Sequence, residues 1–293
     1  MIPPRTILAT TDFSDASASA LMFAARLARQ SGAALHVLHA EHPLLDAAAG
    51  QSGIDLLAET REELERAVRA APPAAECAAR LHAIAGPAVD VILNVAHAQR
   101  ADVVVVGSRG MSGAEKLVFG STTEGLLRRS DVSVFVVPAG WRAPRQHGVD
   151  LAGSGPIIAG VDMDATSIEG ARAACALATL LGTGLEILHV VPDLTVLGRW
   201  RTHADSAVHD RLSASRKDLE GVVRNLRCTA PIEWQVERGA VAERLASRAA
   251  RASDRAPLLV LGKKGPGTAG GAPGTLAYRV LSLGDVPLLM YVA

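Results

Sequence analysis

Short apolar segments recur along the first half of the chain and predict strands. Val103–Val106 is an uninterrupted run of valines, too apolar for a strand with one face in water. It therefore predicts a strand buried on both faces of a parallel sheet. Four further segments also predict strands: Arg5–Thr11, Leu35–Ala40, Cys77–Ala85 and Ser133–Val137.

Helical spacing of apolar residues fills the intervals between these strands. Ser14 or Asp15 caps a first helix that Gly32 ends, an amphipathic helix covers about Ile54–Ala70, and Pro87 starts another in its favoured first turn. Strands alternating with helices of this length predict right-handed βαβ units. The fold class is therefore α/β, with a doubly wound parallel sheet covered by helices on both faces.

The second half repeats the first. Residues 185–190 (LEILHV) follow 35–40 (LHVLHA) at a constant offset of 150 residues, which predicts two copies of one domain. His189 thus repeats His39, and we expect the two histidines to share a packing or hydrogen-bonding role. With 293 residues, 49% of them apolar, the chain is long enough for two cores. The domains are 1–140 and 156–293, joined by a Pro-, Gly-, Ala- and Arg-rich linker, 141–155.

Composition and charge exclude several classes of protein. Thirty basic and thirty acidic residues cancel, which gives no general attraction to nucleic acid or to an anionic membrane. No stretch reaches the ~18 apolar residues of a membrane helix, and the N-terminus lacks a signal-peptide core, so we expect a cytoplasmic protein. Cys77, Cys175 and Cys228 show no Cys-x-x-Cys pairing. We expect buried, reduced thiols and neither a disulfide framework nor a zinc site.

A glycine-rich loop follows the valine strand and leads into a short helix that begins at Ser121 and ends near Arg129. Glycine lets backbone N–H groups approach a ligand closely, and the first turn of a helix attracts an anion. Ser121 and Thr123 add hydroxyl donors. The loop therefore predicts a phosphate cradle, while the same pattern also occurs as a simple turn and cap. The residues of this cradle are Gly107, Gly110, Gly120, Ser121, Thr122 and Thr123.

The spacing Gly107-x2-Gly110-x9-Gly120-Ser121 resembles the nucleotide-binding signature of the universal stress protein family. The segment DFSDASASALMFAARLA, which begins at Asp12, is also typical of that family. In its ATP-binding branch, the motif glycines and the hydroxyl residues that follow hold the phosphates and ribose. The resemblance implies that ATP binds the N-terminal domain, with Mg²⁺ as a counter-ion held mainly by the phosphates.

The same resemblance implies the architecture. Each domain would hold a Rossmann-like, five-stranded parallel sheet of strand order 3-2-1-4-5, and the two tandem domains would pack as an intramolecular pseudo-dimer. A homodimer of the whole chain is a further option. The last strands of the domains, Ser133–Val137 and Pro287–Val292, are apolar edges that we expect to pair with each other.

Further candidate residues follow the first two strands. Asp12 lies after the first strand, where ligands of open α/β sheets gather, and either caps a helix or contacts the ligand. The resemblance favours contact with adenosine, flanked by Thr10 and Thr11, while Ala40 could offer its backbone to adenine. Arg109 in the glycine turn either reaches phosphate oxygens or is solvated.

The histidine run of the second strand does not predict a metal site. His36, His39 and His42 are three residues apart, and residues at that spacing in a strand point to opposite faces. The three side chains therefore cannot converge on one metal ion.

The second domain alters the cradle. Eight residues instead of nine separate Gly265 from Gly274, and Ala277 replaces the position of Thr123. Thr275 keeps one hydroxyl, and the pair Lys263-Lys264 either supplies charge or is solvated. Nucleotide binding is therefore expected mainly in the first domain.

Together with these observations, the resemblance implies a stress-response protein that binds ATP and acts as a nucleotide-dependent regulatory or interaction module. A weak ATPase, or self-phosphorylation on Ser121 or Thr123, is the alternative. The sequence places no general base near the loop, and it contains neither a Walker-type phosphate loop nor a G-x-G-x-x-G after the first strand of either half.

Overall fold

The structure is a computed structural model. It describes residues 3–108, 120–141, 155–193, 201–263 and 275–293, without the side chains of 201–207 and Asp254. These residues form two compact units, one before and one after the segment 142–154. Most of the predicted linker therefore lies outside the described residues. No described helix is both long enough and apolar enough to cross a membrane.

The first unit alternates strands and helices as predicted, with additional helices between its second and third strands. Its elements are β1 (Thr6–Thr10), α1 (Asp15–Ser31), β2 (Ala34–Glu41), α2 (Pro43–Gln51), α3 (Leu56–Ala70), α4 (Pro72–Glu76), β3 (Arg80–Ala85), α5 (Ala88–Ala98), β4 (Val103–Gly107), α6 (Ser121–Arg129) and β5 (Ser133–Val137). The α/β prediction is confirmed.

All strand pairs of this unit are parallel, and they pair in the order β3-β2-β1-β4-β5. The valine run forms β4, and every residue of that strand is buried, as expected for a strand covered on both faces. Ser14 caps α1 by accepting a hydrogen bond from the Ser17 amide, and Gly32 ends the helix in the left-handed conformation. Both helix signals in the sequence are confirmed. Pro87 precedes α5 as its N-cap residue instead of lying in its first turn.

The second unit has the same architecture. Its elements are β6 (Ile157–Gly160), α7 (Ala165–Leu181), β7 (Leu185–Val191), α8 (Arg201–Asn225), β8 (Ile232–Arg238), α9 (Val241–Arg251), a 3₁₀ turn (Ser253–Arg255), β9 (Leu258–Gly262), α10 (Thr275–Leu283) and β10 (Leu288–Tyr291). Its strands are parallel and pair in the order β8-β7-β6-β9-β10.

The prediction that all three cysteines are reduced thiols is wrong for two of them. Cys175 in α7 and Cys228 before β8 form a disulfide, with their Cα atoms 5.7 Å apart. The two cysteines are 53 residues apart, so no local spacing in the sequence indicates the bond. The fold brings α7 beside the segment between α8 and β8, where Thr179 also contacts Thr229. Cys77 is a free thiol, and burial together with Glu76 raises its pKa.

Candidate functional site

A cavity of about 190 Å³ lies in the first unit at the carboxyl ends of β1, β2 and β4. Every predicted site residue that the structure describes lines it, and only Arg109 and Gly110 lie outside the described residues. The predicted residues in the lining are Thr10, Thr11, Asp12, Ala40, Gly107, Gly120, Ser121, Thr122 and Thr123. Residues from distant parts of the sequence therefore converge at one edge of the sheet.

The turn after β1 is held by its own side chains. The Asp12 carboxylate accepts hydrogen bonds from the Ser14 amide at 3.1 Å and from the Ser14 hydroxyl at 2.6 Å. Phe13 has a left-handed backbone with φ of 63°, a conformation that is uncommon for an aromatic residue. Asp12 thus supports the cap of α1 and lines the cavity at the same time. The two roles that the sequence left open for Asp12 are compatible.

The first turn of α6 presents backbone donors to the cavity. Gly120 is its N-cap residue, and no side chain of the described residues caps this end of the helix. The first amides of a helix have no partner within it and carry partial positive charge. Ser121, Thr122 and Thr123, which supply these amides, all line the cavity.

Thr123 has a different role from the one the sequence suggested. Its hydroxyl is buried and donates a hydrogen bond to the Gly107 carbonyl at 2.7 Å. A hydroxyl carries one proton, so this donor is not available to a ligand while the bond is made. Thr123 instead ties the first turn of α6 to the end of β4.

The end of β2 directs backbone groups toward the cavity. In a parallel ladder, alternate residues bond to opposite neighbours. Leu38 accepts a hydrogen bond from Thr11 on the β1 side, and Glu41 accepts one from Gly86 on the β3 side. Ala40 shares the parity of Leu38 and therefore directs its N–H and C=O toward β1, which has already ended at Thr10.

His39 also lines the cavity, although the sequence did not indicate it as a site residue. Its Nδ1 lies 2.8 Å from the Thr11 carbonyl, so Nδ1 carries the proton and donates. Its Nε2 lies 3.6 Å from the buried Glu41 carboxylate, and the Phe13 ring stacks against it with centroids 4.6 Å apart. In the second unit, His189 Nδ1 lies 2.7 Å from the Val161 carbonyl. The shared hydrogen-bonding role is confirmed.

The three histidines of the run go to separate places, as the strand geometry predicted. His36 Nδ1 contacts His82 Nε2 at 2.9 Å, and His42 caps α2. Among the described residues, no group of three or more His, Cys, Asp or Glu side chains is placed to hold a metal ion.

Sequence reasoning also missed the apolar wall of the cavity. Its members beyond β2 are Ala88 and Ile92 of α5 and Val106 of β4, while Leu38 and Ser17 complete the lining. Ala88 follows Pro87, which marks the start of α5 in the sequence. The sequence does not indicate that α5 faces the site, because this depends on how the helix packs over the sheet.

At the corresponding edge of the second unit, Thr275 is the exposed first residue of α10, and Ala277 is buried. The intervening loop, 264–274, lies outside the described residues. Ala277 has no hydroxyl and cannot tie α10 to the end of β9 as Thr123 ties α6 to β4.

Comparison with known proteins agrees with the resemblance found in the sequence. The profile of the universal stress protein family matches residues 4–138. The chain is 31% identical to universal stress protein YxiE of Bacillus subtilis over 144 residues, 45% of this chain and 97% of that protein. It is 30% identical to a Thermus aquaticus universal stress protein over 135 residues, 45% of this chain and 98% of that one.

The fold extends the likeness along the whole chain. A crystal structure of a universal stress protein from Archaeoglobus fulgidus matches with a TM-score of 0.67 at 18% identity, covering 99% of each chain. At this identity the match shows the fold alone. On the strength of the two sequence relatives, which it covers almost completely, the chain belongs to the universal stress protein family.

Proposed function

We propose that the first unit binds an adenine nucleotide, ATP, in the cavity at the ends of β1, β2 and β4. The observation that carries this proposal is the convergence of three separate parts of the predicted site. These are the turn after β1, the backbone of Ala40 and the open first turn of α6.

Each part suits a different portion of the nucleotide. The N–H and C=O of Ala40 offer one donor and one acceptor, which match the edge of adenine, and Leu38 and Ile92 supply apolar contact for the base. Asp12 can accept from the ribose hydroxyls. The first amides of α6 and its positive end suit the phosphates, which would carry Mg²⁺.

The size of the cavity indicates how the ligand would lie. About 190 Å³ is less than the ~300–1,000 Å³ of ordinary small-molecule pockets. The adenosine portion would therefore occupy the cavity, and the phosphates would extend past Gly107 and Gly120. These two glycines flank, in the sequence, the segment that holds Arg109 and Gly110, whose phosphate contacts stay predictions.

The hydrogen-bond partners of the ionisable groups in the lining favour binding over catalysis. Among the described residues of the lining, those groups are Asp12 and His39. The Asp12 carboxylate accepts from Ser14, and both ring nitrogens of His39 face protein oxygens, Nδ1 the Thr11 carbonyl and Nε2 the Glu41 carboxylate. We therefore propose a nucleotide-dependent regulatory or interaction module of the stress response, in the cytoplasm, and keep slow ATP hydrolysis or self-phosphorylation as the alternative.

Calorimetric titration of the full chain with ATP, ADP and AMP tests the proposal. Ala88→Phe should abolish binding, since the ring would fill the cavity from α5. Ala98→Phe is the matched control, because Ala98 lies on the same helix and is exposed. Equal affinity in the two variants would refute this site.

At the phosphate end, Gly110→Val should weaken ATP binding much more than adenosine binding.

Two parts of the proposal concern assembly. The domains are proposed to form an intramolecular pseudo-dimer, and Ser133–Val137 is proposed to pair with Pro287–Val292. Cysteine pairs engineered across the two strands should cross-link within one chain. Cross-links found only between chains would contradict the proposed pairing.

A further inference from the structure

The disulfide of the second unit has a counterpart without a covalent bond in the first. Cys175 holds the place on α7 that Ala25 holds on α1, because the two helices correspond at an offset of 150 residues. Cys228 and Cys77 both lie shortly before the third strand of their unit. The Cys77 sulfur lies 3.7 Å from the Ala25 carbonyl oxygen, so the first unit brings the same two places together.

Non-covalent contacts hold this junction in the first unit. α1 packs against α4, and Arg29 forms an ion pair with Glu76. In the second unit, the hydroxyls of Thr179 and Thr229 lie 3.1 Å apart beside the disulfide. Because the first unit adopts the same fold without the bond, the fold does not require it. Breaking the bond should leave the second unit folded.

The two cysteine residues differ in exposure. Cys175 is 8% exposed and belongs to the buried face of α7. Cys228 is half-buried and follows Arg227, which is exposed and has a left-handed backbone with φ of 47°. Thiol–disulfide exchange requires access of a thiolate to one of the two sulfurs, and nearby positive charge favours thiolates. Since Cys228 is the more exposed of the two residues, we assign its sulfur as the one attacked and Cys175 as the leaving group.

We propose that Cys175–Cys228 is a reversible thiol-exchange site, at which a low-molecular-weight thiol of the glutathione class forms a mixed disulfide with Cys228. The attacking thiolate bonds to Cys228 Sγ, the bond between the two protein sulfurs breaks, and Cys175 leaves with the electron pair and takes a proton. A second thiolate then attacks the small-molecule sulfur and releases Cys228 together with the oxidised thiol dimer. Two electrons pass from the two small thiols to the protein, and the oxidised dimer drives the reverse reaction.

This site would make the protein responsive to the thiol pool, independently of nucleotide binding. Disulfides of proteins in reducing compartments are usually transient, catalytic or redox-sensing. The state of the bond decides whether α7 is covalently fastened to the segment before β8.

Mass spectrometry of the full chain tests the proposal, with Cys77→Ser as the background that removes the free thiol. The native protein is incubated with reduced glutathione without denaturant, quenched in acid and digested. We expect loss of the Cys175–Cys228 linkage, with the transient glutathione adduct on Cys228, while circular dichroism shows a folded chain. Exchange that occurs only in denaturant would overturn the proposal, as would an adduct formed first on Cys175.

Two single variants separate the sulfurs. With oxidised glutathione, Cys175→Ser should be modified at Cys228, and Cys228→Ser should be modified at Cys175 at least about tenfold more slowly because that sulfur is buried. Equal rates in the two variants would contradict the assigned order of attack.

Discussion

At Gly107, the end of β4 meets the first turn of α1. A Cβ added there would lie 3.0 Å from the carbonyl carbon and oxygen of Ala16. The equivalent Gly262 has the corresponding neighbour in α7, since a Cβ there would collide with the Thr166 carbonyl. The motif glycine is therefore needed for packing in both units, besides any contact it makes with a ligand.

Gly107→Ala should lower the free energy of unfolding by about 1–3 kcal/mol, the usual cost of forcing extra atoms into a packed site. Thermal unfolding without nucleotide measures this effect separately from ligand binding. Gly221→Ala is the control, because a Cβ at Gly221 in α8 meets no atom of the described residues within 4 Å. That change should stabilise the helix by about 0.5–1 kcal/mol. A neutral Gly107→Ala would show that α1 does not depend on this close approach.

His36 and His82 bridge β2 and β3 with a hydrogen bond between their rings. Burial lowers the pKa of both histidines. The positive charges of His82 and Arg80 add to the effect on His36, and those of Arg61 and Arg80 add to the effect on His82. In the second unit, the corresponding strand positions hold Glu186 and Gln235, both of which accept from Arg248 of α9.

The first unit should therefore lose stability in mild acid. Because both folded pKa values lie below the ordinary ~6.5, the unfolded chain binds more protons as the pH falls below that value. The first unit therefore has its full stability above about pH 6.5 and loses it progressively as the pH falls toward the folded pKa values of His36 and His82. Melting temperatures at about pH 7.5 and about pH 5.5 measure the loss.

His82→Gln, which introduces the residue found at the equivalent place in the second unit, should reduce this pH dependence. His209→Gln changes an exposed histidine of α8 and should leave it unaltered. If His82→Gln and the parent protein lost stability equally in acid, the histidine pair would not be its source.

At the scale of elements, the hydroxyl of Thr123 couples α6 to β4. Thr123→Val keeps the shape of the side chain and leaves the buried Gly107 carbonyl without this donor, which should cost about 1–3 kcal/mol of stability. Nucleotide affinity should also fall, because the first turn of α6 is no longer held beside β4. Ser121→Ala, at an exposed position, should leave stability unchanged. Unfolding measurements and ATP titration of the two variants distinguish the two roles of Thr123. A fall in both stability and affinity indicates that Thr123 positions α6, whereas a fall in affinity alone indicates a direct contact with the ligand.

The disulfide is the second coupling at this scale. For a closed loop of 53 residues, chain entropy assigns the bond about 4 kcal/mol, so reduction should lower the melting temperature of the second unit. Ala25→Cys should form the matching disulfide with Cys77 and stabilise the first unit by a similar amount. A thiol titration tests it, since the free thiol of the parent should disappear. Persistence of two free thiols would show that the two junctions are not equivalent.

At the scale of the whole molecule, the two units share one architecture but carry different residues at the corresponding edges of their sheets. The first has Thr123, His39 beside Glu41, and an unaltered glycine spacing. The second has Ala277 and the shortened loop, and Val191 stands where Glu41 stands. Similar packing is thus combined with different residues at the proposed binding edge.

The chain should therefore bind one nucleotide tightly, in the first unit. The second unit lacks one residue of the glycine loop and the hydroxyl that ties α6 to β4 in the first unit, so we expect its backbone donors to be displaced. Losing about two hydrogen bonds to a charged group, at roughly 1.5–3 kcal/mol each, corresponds to binding on the order of a hundredfold weaker or more. Calorimetry should give a stoichiometry of one, and Ala88→Phe should remove it. Two equal tight sites, or binding that survives this substitution, would contradict the division of labour.

Local signals in the sequence predicted most of the fold. The valine run, the cap at Ser14, the stop at Gly32 and the start of α6 at Ser121 each act through neighbouring residues, and all appear in the structure at the expected places. The exact offset between the units allowed the role of His189 to be predicted from that of His39. Nine of the described lining residues were also predicted, partly because the carboxyl ends of parallel strands share one edge and partly from the resemblance to the family.

Only the tertiary structure decided the properties that depend on distant residues. It paired Cys175 with Cys228 and His36 with His82, placed Ala88 and His39 in the wall of the cavity, and assigned the Thr123 hydroxyl to the Gly107 carbonyl. None of these pairs has a spacing that a helix or strand would impose. They form because helices and strands that are remote in the sequence pack side by side, and the energies of burial and hydrogen bonding are settled only there.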